Sequence, residues 1–299
     1  MTLRQLEILR AVLRFQTTMA AARVLGMSQP AVSAALKQME SQLGFALFER
    51  VNNRLFPTEA ARMLQQEAEP LFTIHTALEQ KLQDLRDDTI TRLRILSTPP
   101  LGHHALPRAL DLFLRHNPRV RIFFDVRDLD EIQRQIEAGA TDLGFGLSLE
   151  HRPGLTAQPL LEDRMVCVCR PEHPLAALPV VRPADLAAHP FIALEAGRRM
   201  GAAVRQAFLE ARQPFLFRAE VRYADTACAL AAAGLGASVV DPFSPRRAPR
   251  ELAVRPFEPA IPSIAYAFWS GRTELPRTAR RFLAETTDVI RRSLNQAQV

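Results

Sequence analysis

The stretch "AARVLGMSQPAVSAALKQMESQLG", Ala21 to Gly44, decides how the first fifth of the chain folds. Two helical patterns meet across Gly26 and Met27. A glycine just past a last turn tolerates the left-handed conformation that closes a helix, and Ser28 can then cap the next one. Pro30 falls in the first turn of that second helix, where its missing N–H would have had no intrahelical partner. Val32, Leu36, Met39 and Leu43 share one narrow sector of the helical wheel and predict a buried face. The opposite sector carries Pro30, Ala34, Lys37, Gln38 and Ser41, flanked by Gln29 and Ser33. These side chains are short or amide-bearing, with one cation. Such a face suits close approach to a surface rich in hydrogen-bond partners and negative charge. A DNA major groove is one: Gln bonds adenine bidentately, and Ala or Pro touches a thymine methyl.

An ordinary solvated face would look similar, and the neighbouring segments weigh against it. Upstream, Leu6, Leu9 and Leu13 repeat at helical spacing, and Thr17 or Thr18 can cap the helix that ends at Gly26. Downstream, "FALFERVNNRLFPTEA" places Asn52 and Asn53 at turn positions between two apolar pairs, which predicts a short hairpin or wing. Arg50 and Arg54 flank its tip, where arginine either enters a narrow minor groove or contacts phosphates. Charge agrees: residues 1–57 hold seven Lys/Arg against three Asp/Glu, a net +4 of the chain's +6. Two helices, a glycine turn and concentrated basic charge together read as a DNA-binding module.

The run "TTMAAARVLGMSQPAVSAALKQMESQLGFALFERVNNRLFPTEAA" resembles the N-terminal signature of LysR-type transcriptional regulators, whose pattern passes through AAxxLxxSQPAVS, LExxLGxxLFxR and a later LTxxG. The resemblance spans some 60 residues and implies that Gln29, Pro30, Ser33 and position 34 meet DNA, with a wing arginine alongside. Lys37, Arg50 and Arg54 complete the candidate interface. The sequence departs from the pattern at Ala34, where the family usually has arginine, and at Ala61, where it usually has glycine. The first departure removes one expected base or phosphate contact.

From Thr58 to about Asp88 the pattern changes to heptads. Leu64, Ala68, Leu71, His75, Leu78, Leu82 and Leu85 alternate spacings of four and three, which keeps a seam facing a partner helix. At about 1.5 Å per residue the helix would run roughly 45 Å, too long for one small domain to bury, and so it predicts a dimer. Pro70 should kink the rod or break it in two. His75 reads as a tolerated, partly buried seam residue more than as a pH sensor.

Beyond residue 90, short apolar runs alternate with helical patterns. "LRILST", "VRIFFDV" and "DLGFGL" bracket helices near 105–115 and 129–138; "PFIAL", "FLFRAEV" and "GASVVD" bracket helices near 202–211 and 225–233. The same βαβαβ order therefore occurs twice and predicts two α/β lobes with mostly parallel sheets. This doubled layout resembles the family's effector domain and its relatives, the periplasmic solute-binding proteins. The fold expected is thus α/β: a winged helix-turn-helix over 1–57, a linker helix over 58–89, and a two-lobed, periplasmic-binding-protein-like domain over 90–299. Lobe I takes about 90–161 and 266–299, and lobe II about 162–265, with chain crossings near Leu160 to Val166 and Pro256 to Ala265.

Ligands of such sheets bind beyond strand carboxyl ends, here in the cleft between lobes. The candidates are Thr98, Pro99 and Pro100, then Leu147 and Ser148, then Glu195 to Met200 including Arg198 and Arg199, then Thr226 and Asp241. "EVRYADTACALAAAGLGASVVDPF" and "HPFIALEAGRRM" resemble the branch of the family that responds to lysine precursors, opines and related amino acids. The resemblance suggests a zwitterionic, amino-acid-like effector: Thr98 with Arg198 or Arg199 would take its carboxylate, and Asp241 or Glu195 its amine.

No GxSxG elbow, phosphate loop, HExxH or aligned GxGxxG is present, so no enzyme is expected. The adjacent His103 and His104 point in different directions from a helix, which argues against a shared catalytic role. Cys167, Cys169 and Cys228 show no metal-ligand spacing and read as small apolar residues; no metal or cofactor is expected. The charged start and the lack of a long apolar run predict a cytoplasmic protein without membrane contact. Rival readings are an effector-independent regulator and a cytoplasmic solute-binding protein. The partners expected are double-stranded DNA, a small effector and a second copy. The family adds tetramers, RNA polymerase and activation.

Overall fold

The computed structural model describes residues 1–51, 54–86, 91–148, 152–248 and 251–295. Asn52 and Asn53 of the wing turn and residues 87–89 of the expected linker lie outside the described residues, as do the side chains of Arg50 and Leu85. The chain divides into two compact units, Met1–Thr76 and Ala77–Val299.

In the first unit, α1 (Leu3–Phe15), α2 (Thr18–Leu25) and α3 (Gln29–Leu43) pack around Leu9, Val12, Ala21, Val32, Leu36 and Met39. Their ends follow the local chemistry. Thr17 Oγ1 accepts from Ala20 N and Ser28 Oγ from Ala31 N, while Gly26 (φ 63°) and Gly44 (φ 79°) close α2 and α3 in the left-handed region. The antiparallel hairpin β1 (Phe48–Val51) and β2 (Arg54–Pro57) follows, with Val51 opposite Arg54. Glu40 anchors it: its Oε1 accepts from Leu47 N at 2.7 Å and Phe48 N at 3.2 Å, so the hairpin is fixed to α3 by one carboxylate.

Helix α4 (Glu59–Arg86) is one continuous helix with Pro70 inside it, so the break into two pieces does not occur. Its 28 residues correspond to about 42 Å. The heptad seam is divided. Ala68 and the unanticipated Phe72 are buried with Leu6, and Leu3 and Leu64 pack beside them, which extends the first unit to Thr76, well past the expected boundary at 57. Arg10 stacks over Phe72 at 4.0 Å from the ring centroid. Leu71, Ile74, Leu78 and Leu82, at spacings of three and four, are instead 51–56% exposed.

The second unit holds two five-stranded sheets. Lobe I begins with β3 (Thr91–Ser97), α5 (Pro99–Gly102), α6 (Ala105–His116), β4 (Val120–Val126), α7 (Leu129–Glu137), β5 (Leu143–Leu147) and β6 (Leu155–Arg164). Lobe II follows with β7 (Val166–Cys169), α8 (Pro183–Ala187), β8 (Phe191–Leu194), α9 (Arg199–Glu210), β9 (Ala219–Val221), α10 (Ala224–Ala232), β10 (Ala237–Val240) and β11 (Ala253–Pro256). The chain returns to lobe I through β12 (Pro262–Ser270) and α11 (Arg277–Asn295), whose Phe282 meets Phe113 edge-on at 5.1 Å.

The sheet orders are β4-β3-β5-β12-β6 and β11-β7-β10-β8-β9. In each, four strands point the same way and one is reversed, so half of the pairings are parallel and half antiparallel. β12 runs antiparallel to β5 and β6, and β7 antiparallel to β10 and β11. The cause is connectivity: the strand by which the chain enters a lobe after a crossing, β7 or β12, runs against the other four strands of its sheet. Pairing of Arg164 with Pro262 places 162–164 and 262–265 in the lobe I sheet, so the crossings shorten to Met165 and 257–261. The two crossings touch, Met165 N donating to Ile261 O at 2.9 Å.

The expected strand "FLFRAEV" shrinks to Ala219–Val221. Phe215 turns inward instead, packing its ring on Phe191 at 5.7 Å and Phe208 at 5.1 Å, while Leu216 stays exposed. Core packing of one aromatic ring overrides the β propensity of the run.

Candidate DNA-reading helix and effector cleft

On α3, Val32, Leu36 and Met39 are buried, and Gln29, Pro30, Ala34, Lys37, Gln38 and Ser41 are exposed, with Ser33 half-buried. The division is that of a helix lying on a core with its opposite face free. Gln29 does not swing loosely on that face. Its Nε2 donates to Thr18 Oγ1 of α2 and to Ser33 Oγ of its own helix, both at 3.0 Å. The carboxamide is thus held at the N-terminal end of α3 by two hydroxyls, a preorganisation that lowers the conformational cost of using it on a ligand. Thr18 entered the sequence reading only as a possible cap; Thr17 takes that role. Arg54 is exposed at the base of the wing tip, and Arg50 lies on β1 opposite Leu55.

In the second unit the cleft candidates divide sharply. Thr98, 9% exposed, follows β3 with its hydroxyl Oγ1 buried and without a hydrogen-bond partner among the described residues. Pro99 is half-buried and Pro100 and Leu147 are buried beside it. Arg199 reaches across the lobes, its Nη1 donating to Ser148 O at 3.0 Å. Glu195 lies between two guanidinium groups, Arg198 and the unanticipated Arg222, each at 3.6 Å. Thr226 is exposed on the first turn of α10.

Asp241 is buried, not open to the cleft. Fully buried, it caps a short 3-10 turn, Ser244–Arg247: Oδ1 accepts from Phe243 N and Ser244 N at 2.9 Å each, and Oδ2 from Ser244 Oγ at 2.8 Å. Burial pushes its carboxyl above the usual range, against the opposing pull of those hydrogen bonds. With its oxygens committed and no exposure, it cannot receive an effector's amine. The three cysteines are buried in lobe II, where desolvation pushes the thiols of Cys167 and Cys228 upward and leaves them inert.

A second link between lobes was missed. His103 Nδ1 lies 3.0 Å from Asp225 Oδ2, joining α5's end to α10. Their separation of 122 residues gives no local pattern to read. A wide concavity of about 1450 Å³ lies elsewhere, along the two crossings. Two of the arginines that line it are engaged, Arg182 with Glu258 at 2.7 Å and Arg255 with Ala176 O at 2.9 Å.

Two family models match the chain. One, described as "Bacterial regulatory helix-turn-helix protein, lysR family", covers residues 3–62, and the other, "LysR substrate binding domain", covers 86–291. The transcriptional activator protein LysR of Escherichia coli is 31% identical over 87% of this chain and 84% of its own length. The octopine catabolism/uptake operon regulatory protein OccR of Rhizobium meliloti is 29% identical over 86% and 85%. Among solved structures, CbnR, a LysR family transcriptional regulator, has a TM-score of 0.72 at 20% identity, covering 98% of this chain and 99% of that one. The structure of CbnR with its target DNA has a TM-score of 0.69 at 21% identity, covering 98% and 100%.

Proposed function

We propose, for a chain that belongs to the LysR family of DNA-binding transcriptional regulators, that α3 reads base edges and that an amino-acid-like effector held between the lobes governs that reading. The protein is a regulator with an effector-binding domain, not an enzyme. Within that frame Gln29, Pro30, Ser33 and Ala34 face the major groove, while Lys37, Arg50 and Arg54 engage phosphates or the adjoining minor groove. The single observation that carries the reading is the Gln29 carboxamide, exposed at the front of α3 yet held by Thr18 and Ser33. A merely solvated glutamine has no need of two fixed partners.

The exposed row Leu71, Ile74, Leu78 and Leu82 is the surface a second copy would cover, each half-exposed side chain contributing about 1 kcal/mol on burial. Two copies bring two reading heads to a pseudo-palindromic site, and pairing of dimers gives the tetramer expected of the family. The effector class is supported by the relative OccR, named for octopine catabolism and uptake, and by the mixture of arginines, hydroxyl and carboxylates at the cleft mouth. Binding favours one lobe arrangement, and the changed arrangement alters head spacing, DNA bend and contact with RNA polymerase, as an activator in the cytoplasm. Footprinting of the promoter beside its own coding region, with and without L-amino acids and octopine, tests this. The expected result is a protected, dyad-related site whose extent or hypersensitive positions change with one of those compounds. Protection identical under every compound would favour the effector-independent alternative.

A further inference from the structure

At the mouth of the interlobe cleft, a carboxylate is only half used. Asp225, in the first turn of α10, engages His103 of lobe I through Oδ2, while its Oδ1 is buried with no hydrogen-bond donor among the described residues. Helix α5 packs against α10, and the residue just before α5, Thr98, carries a second buried polar atom without a partner among the described residues, its hydroxyl. A buried carboxylate oxygen without a donor is costly, and a native fold tolerates one chiefly where a ligand supplies what is missing. Asp241 is bound by its own turn; Glu195 Oε2 is likewise buried without a hydrogen bond among the described residues, but it faces two guanidinium charges, Arg198 and Arg222, at 3.6 Å each.

We propose that Asp225 is the residue that recognises the effector's amine, and that it does so while His103 holds its other oxygen from the opposite lobe. The inference rests on the cleft between the lobes being the effector site. An ionised carboxylate accepts up to about four hydrogen bonds, so an ammonium group on Oδ1 and the imidazole N–H on Oδ2 are compatible. The coupling is geometric and reciprocal: closure through His103 fixes Asp225 for the amine, and an amine bound there favours the closed arrangement. Arg199, which donates to Ser148 O across the same mouth, together with Arg198 and Arg222, leaves three guanidinium groups against the single Glu195 carboxylate, which suits the effector's own carboxylate. The ligand class is therefore a compound with a free amine and a carboxylate. The corresponding 2-hydroxy acid lacks the charge that Asp225 reads.

Calorimetry on the full chain decides, with the common L-amino acids, L-ornithine and octopine as probes and the 2-hydroxy acids of any that bind as controls. The expected result is that an amino acid bound by wild type is bound at least about tenfold more weakly by Asp225→Asn. The preference for amine over hydroxyl should collapse in that variant, whereas a purely structural role would weaken both ligands alike. His103→Gln should keep the preference and lose only part of the affinity. Equal binding of the amino acid by wild type and Asp225→Asn overturns the proposal and leaves the cleft as effector site. Equal binding of amino and hydroxy acids by wild type does the same. Binding of no probe to wild type overturns this proposal and the amino-acid reading together.

Discussion

The outward face of α3 and the mouth of the interlobe cleft are both exposed polar surfaces, but they are assembled in opposite ways. The first comes from 15 consecutive residues, so the helical period alone arranges Gln29, Ala34 and Lys37 on one side and Val32, Leu36 and Met39 on the other. The second joins His103 and Ser148 of one lobe to Asp225 and Arg199 of the other, through contacts that span as many as 122 residues. A surface made by one element is specified by its own repeat; a surface made by two lobes is specified by the fold that juxtaposes them. Even so, both hold their key side chain by a neighbour from elsewhere in the chain: Gln29 by Thr18, and Asp225 by His103.

The comparison can be broken most forcefully at Asp241. If this carboxylate is structural and Asp225 functional, Asp241→Ala should cost about 2 to 4 kcal/mol of stability by stranding three buried donors. Urea denaturation would read the loss, and the folded fraction should titrate ligand as wild type does. Asp225→Asn should show the reverse, a weakened ligand with little change in the denaturation midpoint. A smaller effect sharpens the other side. Thr18→Val removes one of the two acceptors that hold the Gln29 amide, and should weaken binding to a specific duplex by about 0.5 to 1 kcal/mol while leaving scrambled duplex unaffected. Competition titrations at fixed salt would measure it, and an equal loss on both duplexes would assign Thr18 to phosphate contact instead.

Much of the fold was legible because its signals are local. Capping by Thr17 and Ser28, closure at Gly26 and the wing pairing about residues 52 and 53 all follow from residues within a few positions of one another. The helices of both lobes followed from apolar periodicity for the same reason. What escaped depended on distant partners. Aromatic spacing alone gave no way to tell that Phe215 would leave its expected strand for the rings of Phe191 and Phe208. The heptad seam of α4 read as one surface, yet Ala68 and Phe72 turn to α1 and only the Leu71, Ile74, Leu78 and Leu82 row remains exposed. Asp241 looked like a ligand residue because an acid after a buried strand marks both a cleft and a cap; only the three donors around it distinguish the two.

The central claim is that the exposed face of α3 reads bases through Gln29. Its most direct test is the dissociation constant of wild type and Gln29→Ala on the footprinted promoter duplex and on a scrambled duplex of equal length, at one moderate ionic strength. The account predicts that wild type prefers the promoter and that Gln29→Ala loses about 1 to 3 kcal/mol on it, with almost no loss on the scrambled sequence. Equal losses on both duplexes, or a wild type that does not distinguish them, would contradict it.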